Sequence, residues 1–228
     1  MIINNLDVEV EHKAIKNMHL SVYPPDGRVK VSAPLLYPNE KIEIYVLQKW
    51  LWIQEKREKL QQYKLQPERE YVSGEAHYYK GQLFRLKVYK VSRGKQSVFI
   101  EGDYIVLNVI NPTNFNQKKN LLNKWYKSQL EPILDLYIQK WEKKLNVQLS
   151  AWSIQNMKTR WGSCDTMNHT VIFNLQLAKK PENCIEYVVV HELIHLLERN
   201  HTARFKTLLS MYLPNWKDIK KQLNDLPI

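Results

Sequence analysis

Residues 188–201 read VVVHELIHLLERNH. His191 and His195 stand four positions apart, so a helix places both imidazoles on one face, one turn apart, where they can share one cation. Glu192 lies beside them and can reach a water on that cation without ligating it. This is the H-E-x-x-H pattern of zinc sites, in which the glutamate serves as general base. The surrounding residues are apolar: Ile185, Tyr187, Val188, Val189, Val190, Leu193, Ile194, Leu196 and Leu197. Burying two imidazoles and a carboxylate among them is costly unless their polar atoms are satisfied. A divalent cation satisfies them together, whereas a plain core helix leaves them to find separate partners.

A catalytic zinc takes three protein ligands and a water. His201 follows six residues after His195 and is the candidate third ligand. Asn200 is expected to adopt a left-handed conformation, ending the helix and turning His201 back toward the ion. The three-histidine spacing equals that of the metzincins, but Glu198 stands where they carry glycine, so the turn must differ. The competing gluzincin scheme uses a carboxylate from a later helix. Beyond His201 the only acids are Asp218 and Asp225, and no glutamate remains. That favours the all-histidine set of His191, His195 and His201.

Working outward, 228 residues with 44% hydrophobic content suffice for one large domain or two small ones. With 6 glycines, a glycine-rich phosphate cradle is not expected. Lys plus Arg number 34 against 23 Asp plus Glu, a net +11. The basic residues are scattered, which reads as a solvated surface with, at most, weak sequence-independent attraction to nucleic acid. Cys164 and Cys184 form neither a C-x-x-C pair nor a disulfide framework, which suits a reducing cytoplasm. The first residues lack the pattern of a signal peptide, and no apolar run is long enough to span a bilayer, so no membrane partner is expected.

The first third reads as strands. Leu6, Val8, Val10, then Leu20, Val22, then Val29, Val31 alternate with polar residues. PPDG at 24–27 predicts a hairpin turn. One helix is expected from about Glu40, carrying Ile42, Tyr45, Val46, Lys49, Trp50 and Ile53 at helical spacing, with Asn39 as cap. Alternation returns over residues 70–109, with turns at Gly74, Gly81, Gly94 and Gly102, and completes an antiparallel β-rich region. The turn-rich break at 111–117 sets the expected boundary, giving regions 1–115 and 116–228. A long helical pattern follows, interrupted by Pro132. Two strand stretches come next, meeting at a turn near 166–168, and Pro181 and Glu182 open the histidine helix. No internal repeat is evident.

Taken in order, PDGRVKVSAP (25–34), SGEAHYYKGQLFRLKV (73–88), MKTRWGSCD (157–165), IFNLQLAKKP (172–181), YVVVHELIHLLERNH (187–201), RFKTLL (204–209) and LPNW (213–216) resemble the YgjP-like metallopeptidases. The resemblance spans nearly the whole chain; a more distant one is to SprT-like proteases that act near DNA. It implies an α+β protein with a C-terminal helical zincin-like region. It also implies Zn2+ on His191, His195 and His201, Glu192 as catalytic base, and a peptide or protein substrate.

Other residues carry open readings. Strand 170–175 is expected either to pair with an extended substrate or to be an interior strand. Cys164 is either a small core residue or a thiolate approaching the metal. Tyr187 and Arg160 are rival donors to a developing oxyanion. His77 and His169 are expected to be structural and exposed, respectively. The alternative for the chain as a whole is a basic nucleic-acid-associated binding protein with a structural or vestigial metal site.

Overall fold

Alternating valines build the first sheet. In the computed structural model, which describes residues 1–23, 26–64, 69–92 and 96–226, the chain divides into two compact units, Met1–Arg69 and Glu70–Ile228. Pro24 and Pro25 of the expected hairpin turn, and Gly94, lie outside the described residues.

The first unit contains β1 (Ile2–Ile3), β2 (Leu6–Lys13), β3 (His19–Tyr23), β4 (Arg28–Pro34), α1 (Asn39–Gln48) and α2 (Trp50–Lys64). The sheet order is β1-β2-β4-β3. The expected hairpin is present, with β3 antiparallel to β4 and Val22 opposite Val29. β2, however, runs parallel to β4, with Val8 opposite Val29, so the sheet is mixed rather than antiparallel. Val8, Val29, Val31, Ala33, Ile42, Val46 and Ile53 close a separate core. Each valine and isoleucine among them contributes roughly 1.5–3 kcal/mol when fully buried. The single expected helix is two, meeting at Lys49, whose N–H still donates to Tyr45 O.

The second unit begins with β5 (Ala76–Tyr79), β6 (Gln82–Lys90), β7 (Ser97–Glu101) and β8 (Tyr104–Val109), ordered β5-β6-β8-β7. This repeats the first sheet strand for strand. β5 and β7 are antiparallel to their neighbours, and β6 runs parallel to β8 with Leu86 opposite Ile105. Both opening hairpins turn through two left-handed residues, Asn4 and Asn5 in one and Lys80 and Gly81 in the other. Two consecutive positive φ angles suit the right-handed twist of the flanking strands. The chain therefore contains a repeated supersecondary plan that its sequence did not disclose.

α3 (Phe115–Leu145) follows, capped by Asn114, which accepts from Gln117 N–H, and it contains Pro132. Then come β9 (Ala151–Gln155), β10 (Gly162–Asp165), β11 (Thr170–Asn174), a 3₁₀ turn at Leu175–Lys179, α4 (Glu182–Ile194), α5 (Ala203–Tyr212) and α6 (Trp216–Asp225). The expected boundary at 115/116 falls inside this unit, at the start of α3. Phe84, Leu86, Ile105, Leu107 and Val109 of the preceding sheet share one core with α3 and α4, so contacts run across that point. Glu186 of α4 accepts from Trp141 Nε1 at 2.9 Å and Lys140 Nζ at 2.6 Å, tying α4 to α3. Among the described residues no helix is long and apolar enough to cross a membrane.

Candidate metal centre

α4 carries the site because it is apolar almost all round: Ile185, Val188, Val189, Val190, Leu193 and Ile194 are buried. Such a helix sits inside a core, and its polar residues must face a cleft. His191, Glu192 and His195 line a cleft of about 900 Å³. The helix ends at Ile194, with His195 still right-handed as its cap. Asn200 is not left-handed, contrary to expectation; the chain turns earlier, where Leu196, Leu197 and Glu198 N–H donate back to Leu193 O and Ile194 O.

His201 then arrives just before α5. Thr202 caps that helix, its hydroxyl accepting from Phe205 N–H at 3.3 Å. This cap fixes both His201, one residue before it, and Phe205, three residues after it. Phe205 is buried, and its ring centroid lies 5.0, 4.8 and 4.8 Å from those of His191, His195 and His201. One aromatic ring therefore supports all three imidazoles.

One ligand atom from each histidine falls within 4.8 Å of the others. His201 Nε2 and His191 Nε2 are 3.0 Å apart. Two imidazole nitrogens at that separation need a proton or a cation between their lone pairs. A tetrahedral zinc, with Zn–N distances near 2.0–2.1 Å, holds its nitrogens roughly 3.3 Å apart. His195 Nδ1 meets Glu198 O at 3.3 Å, an arrangement that orients its ring and frees Nε2. His191 Nδ1 is buried without a hydrogen-bond partner. Burial pushes His191 down to about 3, helped by the neighbouring His195 and His201; burial also lowers His195 and His201. Neutral imidazole is the form that ligates a metal. The donor set fits a divalent cation. Asp218 and Asp225 do not join it.

Glu192 is 5% exposed. Burial pushes its carboxyl up to about 8, with Arg160 pulling the other way. A Cβ built on Gly162 would meet Glu192 Oε1 at 2.5 Å and Cγ at 2.7 Å, so only glycine leaves the carboxylate its place. Asn174 is buried and fixes the loop ahead of Gly162. Its Nδ2 donates to Met157 O at 2.9 Å and Arg160 O at 2.7 Å, while its Oδ1 accepts from Met157 and Gln176 N–H.

β11 is the central strand of its sheet, paired with β10 on one side and β9 on the other. It has no free edge for a substrate; its interior reading holds. The cleft-lining edge strand is β10. Cys164, on β10, lines the cleft with its thiol pushed up to about 11 by burial and by Glu192 and Asp165. Tyr187 and Arg160 both line the cleft; burial and Glu192 push Tyr187 up to about 12. His77 is buried against Glu75 at 2.9 Å, and His169 is exposed. Phe205, Gly162 and Asn174 escaped the sequence reading. Only the conjunction of a glycine and an aromatic with distant site residues could have marked them, and no local pattern expresses that.

Residues 16–226 match the family model described as YgjP-like, metallopeptidase domain. Two solved structures are similar to part of the chain. The metallopeptidase zymogen jannalysin of Methanocaldococcus jannaschii is 23% identical over 42% of this chain and 90% of that one, with TM-score 0.38. The metallopeptidase zymogen abylysin of Pyrococcus abyssi is 18% identical over 40% of this chain and 90% of that one, with TM-score 0.37. No curated protein matches the chain.

Proposed function

The chain belongs to the YgjP-like metallopeptidase family, and on that premise we propose that it is a zinc-dependent peptidase in which His191, His195 and His201 hold the ion and Glu192 is the general base. The observation that carries the reading is the convergence of three imidazoles over Phe205, with a buried carboxylate beside them. Zinc, when bound, supplies a Lewis acid that polarises the scissile carbonyl and lowers the pKa of the attacking water toward about 7.

The protein's own residues do the rest. Bound zinc would favour the ionised form that burial disfavours, and Glu192 then takes a proton from the attacking water at a carboxylate oxygen and delivers it to the leaving amine. Gly162 sets where that carboxylate stands. The free edge of β10 offers backbone donors and acceptors to an extended peptide, which would lie along the cleft as an added strand. Arg160 or Tyr187 donates to the developing oxyanion; Arg160→Lys and Tyr187→Phe separate them, because only loss of the true donor lowers kcat by the ~10²–10³-fold typical of such groups.

The test uses a proteome-derived peptide library incubated with wild type and with Glu192→Gln. New termini in the wild-type digest, missing from the Glu192→Gln digest, support the reading. Identical digests from both proteins would overturn it. Metal analysis runs alongside: His191→Ala and His195→Ala should lose the zinc that Glu192→Gln retains.

A further inference from the structure

Besides its histidines, the cleft is lined by three cations, Arg160, Arg199 and Lys220, and two carboxylates, Asp165 and Glu192. The two carboxylates differ. Glu192 is buried. Asp165 is occupied by its own turn: Oδ1 accepts from Met167 N–H at 2.9 Å and Asn168 N–H at 3.2 Å, and Oδ2 from Asn168 Nδ2 at 2.7 Å. The three cations are exposed, and among the described residues none of them has a carboxylate within ion-pair distance.

They come from three separate places: the loop before β10, the turn between α4 and His201, and α6. All three open onto the one cleft that His191, His195 and His201 line. An extended peptide in this cleft meets three cations against the one exposed carboxylate of Asp165.

Building on the peptidase reading, we propose that the cleft selects peptides with acidic side chains flanking the scissile bond, and that Arg199 and Lys220 are specificity-determining residues. Charges facing each other across a partly enclosed cleft are worth about tenfold per pair at low salt, and screening erodes the effect as salt rises. The same cations also suit a polynucleotide. The cleft's alignment with an edge strand, which offers backbone pairing to a peptide, favours the acidic peptide.

The experiment measures binding to zinc-loaded Glu192→Gln, which should hold peptides without cutting them. Three fluorescein-labelled peptides of equal length, rich in Asp and Glu, in Ser and Gln, or in Lys and Arg, are compared by anisotropy at ~50 and ~200 mM salt. The acidic peptide should bind about tenfold or more tightly than the neutral one at low salt, with the gap narrowing at higher salt. Adding Arg199→Glu and Lys220→Glu should reverse the order, and Arg199→Gln with Lys220→Gln should flatten it, with zinc content unchanged. Three outcomes overturn the proposal: equal binding of the three peptides, a preference that the variants do not move, or no measurable binding of the acidic peptide at low salt. A single-stranded oligonucleotide of equal charge that binds the cleft more tightly than the acidic peptide also overturns it. Acidic preference without any wild-type cleavage would sink the peptidase reading alone, whereas cleavage indifferent to charge would sink this proposal alone.

Discussion

The sheet β1-β2-β4-β3 and the sheet β5-β6-β8-β7 share strand order, pairing sense and a left-handed opening turn, yet the site is built only downstream of the second. The difference begins at the turns. Asn4 and Asn5 are exposed. Lys80 and Gly81 donate their N–H groups to Ala178 O and Lys179 O, each at 3.0 Å, and a Cβ on Gly81 would meet Pro181 Cγ at 2.6 Å. Lys80 also pairs with Glu182 at 2.7 Å. The second turn is thus seated on the start of the histidine helix. The following helices differ as well. α1 and α2 bury Ile42, Val46 and Ile53 and leave Ile44, Leu47 and Leu51 exposed. α3 runs for 31 residues, and its far end holds α4 through Trp141 and Glu186. Topology is indifferent to function here; what the chain places after the sheet decides whether it becomes a platform.

The harshest break of that platform is Trp141→Ala, which empties a buried site and removes a partner of Glu186. It should cost about 3–5 kcal/mol and strip the metal as α4 loosens. Val46→Ala, in the other core, should cost less and leave zinc stoichiometry intact. Denaturant melts with metal analysis decide; loss of zinc in Val46→Ala would mean the two cores are not independent.

Gly162→Ala probes chemistry rather than packing. Its methyl displaces Glu192, so peptide hydrolysis should fall about 10²-fold while zinc is retained. Unchanged turnover would show that Glu192 does not need its present place.

The turns come next. Gly81→Ala combines a left-handed backbone at φ 79° with the Pro181 collision and should cost about 2 kcal/mol. Asn5→Ala, at φ 61° in the free turn, should cost roughly 1 kcal/mol. Equal losses in thermal melts would erase the contrast between a seated and a free turn.

A dependence on pH separates two lysines. Lys30 in the first sheet is held well above its usual range by hydrogen bonds to Glu9 and Glu11. Lys180, 1% exposed, donates to Leu226 O, lies over the Trp161 ring, and is pushed down to about 8 by burial. From about pH 8 to the ordinary lysine value of 10.5, the native protein holds fewer protons than the unfolded chain, so stability rises with pH. The rise should amount to about 1–3 kcal/mol and vanish in Lys180→Met. A rise of equal size in that variant would assign it to other groups.

Local patterns were legible in the sequence. Alternation at Val8, Val10, Val29 and Val31 marked strands, and the spacing of His191, His195 and His201 marked three side chains that the fold brings together. Partnership was not legible. Period-two alternation says which face is buried but not which neighbour pairs, so the parallel β2–β4 and β6–β8 pairs went unseen and the central place of β11 stayed one of two readings. The repeated plan stayed hidden because apolar positions tolerate exchange: Val29 and Val31 stand where the second sheet has Ile105 and Leu107. Gly162 and Asn174 act on residues distant in sequence. Asn200 was a reasonable helix terminator on propensity, but the chain leaves α4 earlier, through the turn at Leu196, Leu197 and Glu198.

The most direct test of the account is a zinc add-back titration of chelator-stripped protein, following cleavage of a library-derived peptide in wild type and Glu192→Gln. Activity should be absent without metal and return in wild type as zinc approaches about one per chain. Glu192→Gln should bind zinc equally well while its hydrolysis stays lower by at least ~10²-fold. Cleavage by the stripped protein, or wild-type rates from Glu192→Gln, would contradict the central claim.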